Sequence, residues 1–416
     1  MTRLLAAFAV VATLSSAVAE DWPGWRGPRR DGTATDATYA ATWTATENVA
    51  WTVPVPGVGH SSPVVSKGKV FLTTCLDADG GKGEPKTRQL LCLDRDTGKT
   101  LWTADAMAAK LEPKHKLNSY ASGTPVADGE RVYVTFHDQP KLRVFCYDFA
   151  GKKVWDESPG EFHSVHGYSS SPLLFKDLLI VNGDQDPKED GKAYLVALDK
   201  LTGKERWRID RPNRLRSYCP PVLIDVAGTP QMVLTGSKCV ASYDPATGKQ
   251  LWLVNGPTEQ FVSSVVFHKG IVFLTAGFPE RWVMAIHPNW PWSAKPAPLV
   301  LWSEKNKGGY VPSPVAADGL AFWVTDEGVA GCRDIRTGEA KWDERLRGHQ
   351  TGSGVVANGN IYFTDDNGQT AVFKAAGEFN VVAENRIGEK CFGSPAFSDG
   401  DIFLRGDKHL FKIRAK

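Results

Sequence analysis

The sequence predicts an all-β fold, an eight-bladed β-propeller of four-stranded antiparallel blades, and three observations carry the prediction. A phrase Gly-Lys-x-x-Trp, or a close variant, recurs at Gly98/Trp102, Gly151/Trp155, Gly203/Trp207, Gly248/Trp252 and Gly338/Trp342. The intervals between its glycines are 53, 52, 45 and 90 residues, the last being two units of 45, and periods of that size mark propellers, solenoids or arrays. Eight short turns of small or polar residues, each followed by an alternating β-prone run, count the units. The last unit stops at Lys416 without a fourth strand, whereas Asn48 to Val53 has the apolar pattern and the Trp of a fourth strand with no repeat ahead of it. Pairing the two would close the ring and remove an exposed edge.

Residues 1–19 read as a secretory signal: Arg3 supplies the positive start, Leu4 to Leu14 is apolar, and Ala17-Val18-Ala19 is a small-residue cleavage site before Glu20. An exported, periplasmic or extracellular protein without a transmembrane segment is expected, its mature chain beginning at Glu20. Residues 20–47 are an N-terminal wrapping segment, and residues 48–416 form a single propeller.

The first hairpin of each blade turns at Lys67-Gly68, Asp128-Gly129, Lys176-Asp177, Ala227-Gly228, Lys269-Gly270, Asp318-Gly319, Asn358-Gly359 and Asp399-Gly400. A second signal, Asp-x-x-Thr-Gly-Lys, starts at Asp94, Asp199 and Asp244, with a Glu-for-Lys variant at Asp334, and joins the third strand to the fourth. There Asp can bond its own backbone and Gly can take a positive φ. The Trp that follows is assigned to docking between neighbouring blades, which makes Trp51, Trp102, Trp155, Trp207, Trp252, Trp302 and Trp342 the pegs of the ring. Blade 5 departs, with Pro288 to Pro298 in place of Thr-Gly-Lys, and blade 7 carries Val381 where the Trp belongs.

Composition excludes several classes. Forty-nine basic against 47 acidic residues leave a net charge of +2, so there is no nucleic-acid footprint. Seven cysteines are odd in number. Cys92, Cys146 and Cys332 occupy a slot that holds Ala197 and Ser242 in other repeats, which favours tightly packed thiols. Cys75 and Cys92 flank one hairpin, and a bridge between them stays open.

These repeats resemble the Trp-docking repeats of the pyrroloquinoline quinone (PQQ) dehydrogenases and of the BamB-type outer-membrane assembly factors, over nearly all of residues 48–416. Trp22-Pro23-Gly24-Trp25-Arg26-Gly27-Pro28 and Asn118-Ser119-Tyr120-Ala121-Ser122-Gly123-Thr124-Pro125 are similar to stretches of the exported PQQ-binding-like β-propeller repeat proteins of planctomycetes. The repeat speaks for fold and weakly for function.

In a four-stranded blade, the turns between strands two and three and the links between blades emerge on one face. This rule sends His60, His115, His163, His166 and His349 to linking loops, and His137 and His409 to second-to-third-strand turns, so seven of nine histidines share a face. His268 and His287 fall elsewhere. Long loops on a rigid scaffold collect binding residues, and the candidate ligand-binding set is His60, His115, Asn118, Tyr120, His163, His166, Tyr168, Arg216, Tyr218, Gln260, Tyr310 and His349. Such a funnel suits a small anionic or polyhydroxylated ligand, or a partner protein. His163 and His166 are close enough in sequence to share an ion, and Asp184, Asp186, Glu189 and Asp190 lack EF-hand spacing for calcium.

Two functions stand side by side. One is a non-catalytic exported scaffold, a monomer, as the BamB resemblance implies. The other is an enzyme using the same face. The PQQ resemblance would imply that cofactor with calcium, but no Cys-Cys pair, no Cys-x-x-Cys-His and no placeable catalytic base is present, so no catalytic residue is assigned. A hydrolase or lyase built from His115, His163, His166 and Tyr168 is the remaining enzymatic reading.

Overall fold

A computed structural model describes residues 20–36, 38–79, 83–186, 193–212, 215–236, 238–288 and 299–415. Eight sheets form, each built on four antiparallel strands that are sequential in every blade but the last and are joined in the seventh by a short fifth strand, and no α-helix occurs among the described residues. All eight first hairpins turn at the dipeptides named above, because each supplies a positive φ, as at Lys67 (49°) and Gly68 (75°). First strands of adjacent blades touch at several points of the ring and are more buried than the fourth strands, which alternate between half-buried and exposed residues. The first strands therefore line the axis and the fourth strands form the rim. Ring closure follows the sequence: Val49–Pro54 pairs antiparallel with His409–Arg414, Thr52 opposite Phe411, completing blade 8.

The recurrent phrase is a two-part joint. Each Gly of Thr-Gly-Lys, or its variant, receives the Trp of the preceding blade: Gly98 seats Trp51, Gly151 Trp102, Gly203 Trp155, Gly248 Trp207 and Gly338 Trp302. A Cβ at these glycines would lie 2.7–3.0 Å from the indole, closer than carbon atoms approach. The indole N–H then donates to a backbone carbonyl of the next blade: Trp51 to Arg95, Trp102 to Phe149, Trp155 to Lys200, Trp302 to Ile335 and Trp342 to Ala376, at 3.0–3.3 Å. Trp207 and Trp252 pack on the following blade too, but Trp252 turns its N–H to Gln231 of its own blade at 2.8 Å. The proline-rich replacement in blade 5 lies outside the described residues apart from Pro288.

Blade 7, lacking its Trp at Val381, borrows one. Within blades 1, 2, 5, 6 and 8 the docking ring stands 5.8–6.0 Å from an aromatic ring of the second strand, as Trp102 does from Phe71 and Trp342 from Phe322. In blade 7 that aromatic is Tyr362, and Trp43 of the N-terminal segment stacks on it at 6.4 Å. Asn385 holds the loan in place, accepting from the Trp43 backbone N–H and donating to the Ala41 carbonyl.

The first part of the N-terminal segment enters the propeller. Trp22 exchanges backbone hydrogen bonds with Val65 of blade 1, and Pro23 accepts from Ala127 of blade 2. Arg30 donates to Leu174 of blade 3, Trp25 to Ser264 at the start of blade 5, and Arg26 to Pro314 at the start of blade 6. Thr33–Ala34 adds a parallel fifth strand to blade 7 against Val356 and Ala357. Fifteen residues can reach the first strands of so many blades only from the axis, so Glu20–Ala34 plugs the central channel. Around the plug, six blades donate a backbone N–H to a hydroxyl of the next: Ser62 to Thr124, Thr124 to Ser171, Ser264 to Ser313, Ser313 to Ser353, Ser353 to Ser394 and Ser394 to Ser62. Pro220, with neither hydroxyl nor N–H, breaks this ring at blade 4.

All seven cysteines are buried and free. Cys75 lies opposite Arg88 and Cys92 opposite Phe71, four ladder positions apart on the same strand pair, so the two do not bridge.

Candidate functional site

Above the plug, on the face where blade links and second-to-third-strand turns emerge, is a cavity of about 630 Å³. Its size suits a small organic ligand. Nine of the twelve sequence candidates line it: His60, His115, Asn118, His166, Arg216, Tyr218, Gln260, Tyr310 and His349. Three do not. Tyr168 is buried and its hydroxyl donates to the Asn182 carbonyl. Tyr120 packs beneath Arg88 and Lys114, which stand 5.5 and 5.2 Å from its ring. His163 turns to Glu161 at 3.3 Å, away from His166, so these two histidines do not share an ion, and the proposed hydrolase constellation is not assembled. Of the other histidines, His137 is buried against Phe162 and His409 pairs with Glu389.

The walls are aromatic with paired charges between them. His60 stacks on Phe392 with ring centroids 4.4 Å apart, and its Nδ1 hydrogen-bonds the Leu117 carbonyl. Burial, aided by nearby Arg405, lowers its pKa to about 3, so the ring is uncharged at neutral pH. His115, His166 and Tyr218 form an edge-packed run at 5.8 and 6.0 Å. Arg216 is paired with Asp186 at 2.7 Å, and the Gln260 amide, with its oxygen turned toward the guanidinium, accepts two further bonds from it and donates to Tyr310. Arg281 meets Glu327 through both guanidinium nitrogens, and His349 meets Asp366 at 2.7 Å. Asp326 accepts the backbone N–H groups of Tyr310 and Val311, and burial raises its pKa. The described acids of the run near Asp184 serve likewise, for buried Asp184 pairs with buried Arg211. Glu189 and Asp190, like Arg214 of a linking loop, lie outside the described residues.

The floor is Trp25, its indole N–H on the Ser264 hydroxyl at 3.1 Å. The same side chain bounds a second cavity of about 220 Å³ on the far side of the plug, beside Pro220 where the hydroxyl ring is broken. Trp25 is the partition between the two. In the sequence Trp25 is one residue of a short motif, and nothing local says that a residue ahead of the first repeat lies on the axis. Phe278, Arg281, Asp326 and Glu327, also in the walls, sit at second-to-third-strand turns, and the face rule applied to every residue type would have found them.

Several comparisons bear on the fold. BamB from Moraxella catarrhalis superposes with a TM-score of 0.57 at 11% identity, covering 88% of this chain and 98% of that one. The quinohemoprotein alcohol dehydrogenase from Comamonas testosteroni gives 0.65 at 13% identity, covering 97% of this chain and 82% of that one. The computationally designed Ika8 protein gives 0.59 at 14% identity, covering 86% and 100%. At these identities the likeness is one of fold alone. No curated protein sequence matches the chain at a significant level. The family model described as outer membrane protein assembly factor BamB matches residues 86–344, well over half of the chain and five of the blades that the Gly-Trp joints hold together, and the chain belongs to that family.

Proposed function

We propose that the chain is an exported, non-catalytic binding propeller that takes a neutral, polyhydroxylated ring ligand, such as a saccharide, in the funnel cavity. One observation carries this choice over an anionic ligand: both arginines of the cavity wall already face carboxylates, Arg216 with Asp186 and Arg281 with Glu327. An incoming anion would have to displace an intramolecular partner. The rest of the wall is aromatic surface (Trp25, Phe278, Phe392) with uncharged hydroxyl and amide groups between (Asn118, Gln260, Tyr310, Thr351), the combination of apolar faces and a few fixed polar groups that orients a ring. The family and the fold are compatible with a binding or assembly scaffold.

The cavity residues do not fit PQQ with its calcium. Among the described residues no three His, Cys, Asp or Glu side chains come together to hold a metal ion, and the two arginines that line the cavity face carboxylates of the chain rather than those of a quinone. A thermal-shift series decides the ligand class. Neutral mono- to tetrasaccharides are expected to raise Tm, and to lose that effect in Trp25→Ala. Shifts by citrate or phosphate alone would replace the reading with an anion site, and a shift by PQQ with calcium would overturn it.

A further inference from the structure

We propose that Asp36 is the receptor for a new α-ammonium group at Glu20, created by cleavage after Ala19, and that this ion pair seats the plug that floors the cavity. The inference rests on the export reading above. The Glu20 backbone nitrogen lies 3.2 Å from Asp36 Oδ2. Asp36 also accepts from the Tyr39 hydroxyl and from the Asp399 backbone N–H at 2.9 Å. No basic side chain is within ion-pair distance of it among the described residues. The other acids here have partners: the Glu20 carboxylate takes both arms of Arg29 at 2.6 and 2.8 Å, and Asp21 accepts from Ser66 and the Lys67 N–H. Glu20, Asp31 and Asp36 all act on Arg29, and Asp31 acts on Arg26 as well, so three carboxylates have two guanidinium groups between them and Asp36 is the one with no cation in contact.

Cleavage supplies that charge where it is lacking. A peptidase that cuts after small residues adds water across the Ala19–Glu20 bond; the carboxyl group leaves with Ala19, and the nitrogen stays on Glu20 as an ammonium. The amide that donated one hydrogen bond to Asp36 becomes a cation with three N–H donors facing a carboxylate. The position is otherwise anchored, since Ser398 donates to the Glu20 carbonyl at 2.7 Å and Trp22, two residues on, is paired to Val65. Trp25 follows three residues later, so the anchored end and the cavity floor are one short rigid stretch. Asp36 is therefore a positioning residue for the plug.

Mass spectrometry of the exported protein reads its first residue, and amine acylation at pH 7 reads the state of the α-amine. The expected start is Glu20, with the wild-type α-amine acylated about tenfold more slowly than in Asp36→Asn, since one unit of pKa changes the unprotonated fraction tenfold. A start at Met1 would overturn the export reading and this proposal together. A start at Glu20 with equal rates in the two proteins would overturn the proposal alone. Should Asp36→Asn prevent folding, the pH dependence of wild-type labelling decides: a midpoint above the ordinary α-amino range of about 7.7–8.0 supports the pair, and one within it overturns the pair.

Discussion

Replacing Gly151 with Ala tests the joint that defines the repeat. Gly151 has φ 88°, and a Cβ there would meet Trp102 Cδ2 at 2.7 Å, Cγ at 2.9 Å and Cε2 at 3.1 Å. Two costs arise. A left-handed backbone costs an L-residue about 1–2 kcal/mol, and a methyl group forced into a packed contact costs about 1–3 kcal/mol. Gly228 is the control: its φ is 82°, and nothing lies within 4 Å of an added Cβ, so only the first cost applies. Gly151→Ala should lose about 2–5 kcal/mol and Gly228→Ala about 1–2 kcal/mol, read as the shift in urea midpoint multiplied by a common m-value. Hydrogen exchange should rise in strands Thr100–Ala109 and Lys141–Asp148, on either side of the joint. Equal losses from the two variants would mean that the glycine is required for its turn alone and that the docking interpretation is wrong.

Three other outcomes follow from the structure. Trp43→Ala, which removes the ring borrowed by blade 7, should cost about 3–5 kcal/mol as for other buried tryptophans, and a loss below about 1 kcal/mol would show that blade 7 needs no peg. His60, lowered to about 3 in the folded protein, is protonated near its ordinary pKa of about 6.5 only when the chain unfolds. Its contribution is complete above pH 6.5 and is lost as pH falls toward 3, so stability should rise with pH across that window. His60→Asn should flatten the slope there by up to about 1.4 kcal/mol per pH unit, and an unchanged slope would refute the assignment. Burial pushes the thiols of Cys92, Cys146, Cys332 and Cys391 up to about 12, so a thiol reagent should label none of the seven cysteines quickly in native protein and all seven in denaturant; a native disulfide would lower the second number.

Much of the ring was legible because each unit repeats the same local chemistry. The turns announce themselves through residues that tolerate positive φ, and the period converts them into a count. The same ruler assigns loops to a face, which is why His60, Arg216 and Tyr310, 156 and 94 residues apart, are expected together from the sequence. It failed where a residue's position in its loop, rather than its loop, matters. Tyr168 and Tyr120 are on the chosen face, but Tyr168 turns into the interior and Tyr120 lies against Arg88 and Lys114, and no periodicity distinguishes such rotamers from one that points into the cavity.

The sequence by itself determined the architecture: eight blades, closure by Val49–Pro54, and pegs and sockets in register, because these depend on contacts between neighbours that recur at one period. Only the tertiary structure decided the axis. Residues 20–47 carry no repeat, so nothing in them says that Trp25 floors the cavity, that Trp43 stands in for the missing peg of blade 7, or that Glu20 comes to rest against Asp36. The contacts of Trp25 with Ser264 and of Trp43 with Tyr362 span 239 and 319 residues and exist only once the first strands have closed around a channel, since a segment that touches most of the blades has no partner until they are in place.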